Sequence, residues 1–176
     1  DTISGWFNYD STIPDTNSNA NIGLYNGAID SLNVSVGSWL SQSLTSVGNW
    51  GDIQVNNDTG TGNGVLDRVT VTVAGFNAIQ PGRFNFSFTD PKTANVDDDV
   101  VWQLDRFTLT LTANPPGSTV PTVLDSDHLP SHEQWESTNW TARSISLRFN
   151  PVCNTTTNTP PDCSNTNRNT TGTISF

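Results

Sequence analysis

The chain reads as an all-β protein: an antiparallel two-sheet β-sandwich, jelly-roll or Ig-like, with about eight strands and little helix. Three observations carry this expectation. Apolar and polar residues alternate with a period of two through most of the 176 residues, as they do where one face of a strand is buried and the other solvated. Helical periodicity is almost absent. Clusters of Gly, Asn, Asp and Pro punctuate the alternating runs at short intervals, a spacing that fits antiparallel connections better than the crossover helices a parallel sheet needs.

Taken in order, "TISGWFNY" sets Ile3, Gly5, Phe7 and Tyr9 against Thr2, Ser4, Trp6 and Asn8. "SLNVSVG" places Leu32, Val34 and Val36 on one face, and "DIQVN" does the same for Ile53 and Val55. "DRVTVTV" (Val69, Val71, Val73), "RFNFSFT" (Phe84, Phe86, Phe88) and "DRFTLTLT" (Phe107, Leu109, Leu111) follow the same rule. "RSISLRF" (Ile145, Leu147, Phe149) and the terminal "GTISF" (Gly172, Ile174, Phe176) complete the set. Short helical turns are expected only around "YNGAID" and "SHEQWES". One domain spans 1–176, with a disulfide-clipped polar loop at 150–171 and a terminal strand at 172–176.

Acids outnumber bases 17 to 7, for a net charge of -10. Such a surface repels phosphate backbones and anionic lipid, which argues against nucleic-acid partners. No apolar run approaches the ~18 residues that span a bilayer, so no direct membrane insertion is expected. The chain has no Met, not even at its start, and a processed terminus left by a removed signal peptide is the expectation. Cys153 and Cys163, the two cysteines, lie in an Asn- and Thr-rich stretch that buries little. A disulfide formed in an oxidising compartment suits them; with no His nearby they make a poor zinc site. Asn-x-Ser/Thr sequons occur at Asn33, Asn57, Asn85, Asn139, Asn154 and Asn169, candidate glycosylation sites in a secreted glycoprotein.

The order "ISGWFNYD", "GLYNGAIDSLNVSVG", "DIQVNNDTGTGNGVLDRVTVTV", "FNFSFTD", "SISLRFN" and "TGTISF" resembles a broad family of exported bacterial β-sandwich domains often found ahead of a PEP-CTERM type sorting anchor. The motifs are loose: an opening G-x-F-x-Y-D strand, a G-x-Y-x-x-A-I turn into a strand, and a closing strand pair around a variable loop. The resemblance implies an extracytoplasmic sandwich associated with envelopes and exopolysaccharide, of a kind mostly without an assigned activity, and it offers no family active site to carry over. This sequence departs from the family in showing no anchor helix or Arg cluster and in carrying the Cys-clipped loop.

Candidate metal ligands fall in two loops. Asn57, Asp58, Asn63 and Asp67 lie along a Gly-rich loop able to wrap calcium, although the spacing misses the usual calcium-loop pattern and a hairpin with left-handed Asn and Gly explains the same residues. Asp97, Asp98 and Asp99 repel one another unless solvated or shared with a cation. The densest titratable cluster holds Asp125, Asp127, His128, His132, Glu133 and Glu136. Pro130 interrupts any helix carrying both histidines, so the zinc-protease geometry fails, and nothing fixes the carboxylate separation a glycosidase would need. No G-x-S-x-G is present. Six tryptophans, among them Trp6 on the face opposite Phe7 and Tyr9, serve either as packing or as platforms for sugar rings.

These features point to a secreted, non-enzymatic structural protein, extracellular or at the cell surface, that self-associates through edge or terminal strands into a filament or surface layer. Its partners are then copies of itself and extracellular polysaccharide. The assembly residues are Ile3, Trp6, Phe7 and Tyr9 of the first strand and Ile174 and Phe176 of the last. The last strand either closes on the first within one sandwich or completes the sheet of a neighbour. The alternative is an extracellular carbohydrate-binding module with a structural calcium. No other cofactor is expected.

Overall fold

The computed structural model describes residues 2–37, 40–45, 47–59, 66–75, 85–88, 100–113, 123–152 and 168–173. Among them the alternating runs form two antiparallel sheets. The smaller has the order β1 (Ile3–Tyr9), β3 (Ile29–Val36), β4 (Leu40–Leu44). The larger runs β10 (Arg168–Thr173), β9 (Trp140–Val152), β8 (Val100–Ala113), β6 (Leu66–Ala74), β5 (Gly51–Thr59), β2 (Ile22–Tyr25), and β7 (Asn85–Phe88) pairs with the N-terminal part of β8. The chain therefore leaves the small sheet after β1, contributes a rim strand to the large one, and returns to lay β3 beside β1.

Period-two patterning places the core. Val34 and Val36 of β3, Ile53 and Val55 of β5, Val69, Val71 and Val73 of β6 and Leu109 and Leu111 of β8 are all buried in one apolar cluster shared by the two sheets. Each such side chain contributes about 1.5–3 kcal/mol when withdrawn from water. Leu104 and Phe107 both belong to this cluster although they lie an odd number of residues apart. A register shift between Leu104 and Arg106 makes this possible, because one extra residue in a strand turns the following side chains back to the same face. That extra residue is Asp105, and Arg148 on β9 holds its carboxylate with Nε at 2.7 Å and with a second guanidinium nitrogen.

Helix α1 (His132–Glu136) realises the expected turn at "SHEQWES". Its start is fixed by a reciprocal cap: Ser131 Oγ accepts from Gln134 N, and Gln134 Oε1 accepts from Ser131 N, so both exposed amide donors are satisfied locally.

Several expectations are corrected. "YNGAID" is a tight turn rather than helical, with Gly27 at φ 73°, a left-handed value that suits glycine and breaks a helix. Strands β2 and β4 were not foreseen. The last described strand, Arg168–Thr173, begins before the expected 172–176 and includes its first two residues, and β9 extends to Val152, inside the expected polar loop. β10 pairs with β9, Thr170 opposite Leu147, and not with β1; β1 pairs with β3, Phe7 opposite Leu32. Among the described residues the first and last strands therefore belong to separate pairings, one in each sheet. Ile174, Phe176, Cys153 and Cys163 lie outside the described residues.

Candidate functional site

β1 is a rim strand, and among the described residues it pairs with β3 alone. Its inner face presents Ile3, Phe7 and Tyr9 to the core, while Ser4, Trp6 and Asn8 are exposed. Trp6 therefore faces outward and keeps 52% of its surface in solvent. Gly5 interrupts the inner stripe. A Cβ there would come 2.2 Å from the carbonyl oxygen of Asn33 on β3, so the close approach of the two backbones admits no side chain at this position. Beside the gap lies an apolar cleft of about 440 Å³ between the sheets, lined by Gly5, Phe7, Phe107, Leu109, Trp135 and Ile145 among others.

An aromatic cluster fastens the far end of β1. The Trp135 ring from α1 meets Phe7 edge-on at 5.5 Å and Tyr9 at 5.9 Å. Trp135 Nε1 donates to the Tyr9 hydroxyl at 3.1 Å, which donates in turn to the carbonyl of Pro130 at 3.0 Å. Both polar tips are thereby satisfied where their rings are packed, as buried Tyr and Trp require. Trp140, buried at the start of β9, donates to the Gln134 carbonyl at 2.8 Å and ties down the other side of α1.

The β2 rim of the larger sheet is built differently. Asp15, Asn17 and Asn19 each accept from the backbone N–H two residues on, a run of Asx turns. Asp15 Oδ1 also accepts from Leu24 N, and the Leu24 carbonyl accepts from Thr16 N. The outer side of β2 is therefore engaged at Leu24 by its own preceding loop. Sequence reasoning passed over this loop, although Asp or Asn at every second position from 15 to 21 was the available signal.

Of the proposed calcium ligands, the structure gives Asp67 another task. Its carboxylate is buried: Oδ2 accepts from the N–H groups of Val123 and Leu124 at 3.0 Å, and Oδ1 from Asp58 N at 3.2 Å. Asp67 thus pins the 123–124 segment and the β5–β6 end together, with both oxygens occupied by donors. Asp58 takes a left-handed backbone, φ 50°, while the Gly-rich turn that the hairpin alternative rests on, 60–65, lies outside the described residues. Asn57 lies beside it, half-buried, with its Oδ1 unpaired. Asn63, Asp97, Asp98 and Asp99 lie outside the described residues. Among the described residues no three His, Cys, Asp or Glu side chains gather as a metal-holding group.

The histidines do not converge. His132 borders the cleft and sits 3.6 Å from Glu136, whereas His128 contacts Ser126 Oγ and lies near Tyr25 and Asp15. Of the sequons, Asn33 is central in β3 with its amide donating to Ser43 Oγ at 2.7 Å, a poor glycan acceptor between two paired strands. Asn85 and Asn169 sit within strands β7 and β10, Asn139 is half-buried before β9, and Asn154 lies outside the described residues.

Tyr25 gives the site a pH signature. Burial pushes its phenol above the ordinary value of 10.0, and the carboxylates of Asp15 and Asp127 push the same way. The unfolded chain then ionises first as pH rises, so this residue's contribution is intact below the ordinary value and is lost as pH climbs through the higher folded one. Denaturant melts from pH 8 to 11 are expected to show stability falling at the alkaline end, and a Tyr25→Phe variant should flatten that fall.

No protein-family model, curated protein or solved structure matches this chain. Among the described residues no helix is long and apolar enough to cross a membrane.

Proposed function

We propose that the chain is a secreted, non-enzymatic structural protein that self-associates through edge strands into an extracellular filament or surface layer. The observation that supports it is the character of β1. Soluble proteins blunt a sheet rim with charge, proline or a covering loop. On a chain with 17 acids, Ile3–Tyr9 carries no charge and no proline, and it exposes Trp6. It differs in this from β2, whose outer side is engaged by the Asx loop, since among the described residues the outer side of β1 has no partner. The interacting residues are Ile3, Trp6, Phe7 and Tyr9.

The test is the mass of native material by light scattering, with images of the particles. Species well above the 19.0 kDa chain are expected, and a Ser4→Lys/Asn8→Lys variant should return them to monomer while melting within about 0.5 kcal/mol of the parent, since both positions are exposed. A monomeric parent at high concentration defeats the reading.

A carbohydrate-binding module remains the second reading. It is favoured by two tryptophans half open to solvent, Trp6 and Trp50, the latter with its six-membered ring held against Gly75, where a Cβ would come within 2.4 Å of it. Quenching of Trp fluorescence by soluble glycans, lost in Trp50→Ala, would select it. A structural calcium in that reading would need ligands other than Asp67.

A further inference from the structure

Resting on the self-association reading, we infer that β1 pairs with β1 of a second copy, antiparallel about a twofold axis at Trp6, so that Gly5 of each copy lies opposite Phe7 of the other. The backbone sets this register. Thr2 O accepts from Gly37 N, and Asp10 N donates to Ala28 O, so even-numbered residues of this segment turn their polar groups toward β3. The one irregularity in the pairing, where Asn8 faces Ser31 and Tyr9 faces Ile29, inserts its extra residue in β3 and leaves the alternation of β1 intact. In an antiparallel ladder successive residues present their N–H and C=O to opposite sides. Ile3, Gly5, Phe7 and Tyr9 therefore direct theirs to the rim, which pairs with nothing among the described residues.

Pairing that rim with itself leaves few choices. Only registers joining odd residues to odd residues form hydrogen bonds, and the one centred on Trp6 uses all four: Ile3 with Tyr9 of the second copy, Gly5 with its Phe7, and the reverse. That makes about eight backbone hydrogen bonds. A shift by one pair in either direction strands an end. Side chains favour the same register. Gly5 leaves the inner stripe empty beside the cleft, and an aromatic ring opposite a rim glycine covers such a gap. On the outer face the exposed Trp6 rings meet across the axis. Two chains each at -10 repel, and β1 brings no charge of its own to the contact. A twofold contact is made of the same surface twice, so the complementarity of Gly5 and Phe7 counts in both copies.

The register is tested with Ser4→Cys and Asn8→Cys, which keep Trp6 and change only exposed positions. In the inferred pairing, residue 4 lies opposite residue 8 at a non-hydrogen-bonded position, Cα atoms about 4.5 Å apart, within disulfide reach. Mild oxidation of the two variants mixed is expected to yield a covalent 4-to-8 species of twice the 19.0 kDa chain mass, identified by peptide mapping, while neither variant alone crosslinks at these positions. Self-crosslinking of either variant, or oligomers in which the mixture gives no 4-to-8 link, overturns the register and leaves self-association standing. Light scattering of the untreated variants separates that outcome from a chain that is monomeric throughout, which overturns both. A Ser4→Lys/Asn8→Glu variant supplies an independent check: opposed residues are then of opposite charge, and it should retain the assembly that Ser4→Lys/Asn8→Lys loses.

Discussion

Asp67→Ala is expected to lower the unfolding free energy by roughly 3–5 kcal/mol, a large share of the 5–15 kcal/mol typical of a domain. The carboxylate accepts from the N–H groups of Val123, Leu124 and Asp58, and alanine leaves these donors without an acceptor in a region where Val123 and Leu124 are themselves buried. Asp67→Asn is the informative companion. Its carbonyl can still accept from Val123 and Leu124, but its amide would then face the N–H of Asp58, so about 1–2 kcal/mol should be lost. Urea denaturation of the three proteins checks the order parent, Asn, Ala. The same experiment with and without chelator discriminates the roles of this residue. If chelation destabilises the parent as strongly as Asp67→Ala does and costs the variant nothing further, Asp67 is a calcium ligand; if chelation leaves the parent unchanged, its work is to hold the three N–H groups.

Trp135→Ala is expected to cost about 2–4 kcal/mol. The loss combines the packing of the indole on Phe7 and Tyr9 with the donor to the Tyr9 hydroxyl, and it strikes where α1 braces β1. Trp135→Phe keeps the ring contacts and removes the donor, for which about 1 kcal/mol is expected. Hydrogen exchange gives a more local reading. Amides of Ser4, Trp6 and Asn8, directed toward β3, should exchange faster in Trp135→Ala if the aromatic cluster holds β1 in place, and unchanged protection there would assign Trp135 to α1 alone.

Much of this architecture was legible in the sequence because burial of one strand face writes a period of two. Val69, Val71 and Val73 declared their face, and Asp67 lies in phase with them; the same alternation that located the core placed this carboxylate inside it. Reading Asp67 instead as a loop ligand weighed residue type above phase. β2 escaped notice because four residues, one of them glycine, carry too little alternation, and β4, "LSQSL", offers only two apolar residues. The bulge at Asp105 was hidden for a different reason: an inserted residue breaks the very period that reveals the strand. The outward Trp6 was legible from its phase against Phe7 and Tyr9. The aromatic cluster joining residues 7, 9 and 135 was not, since local pattern says nothing of which distant segments meet.

The Asx-turned loop from Asp15 to Asn21 has a consequence for shape at larger scale. Because it occupies the flank of the larger sheet at Leu24, lateral neighbours cannot dock there by strand addition without first displacing it. Two copies joined through β1 about a twofold axis would use up that margin in each other, and with the β2 margin occupied by its own loop there is no strand-addition contact at either place from which β-rich material could stack without limit.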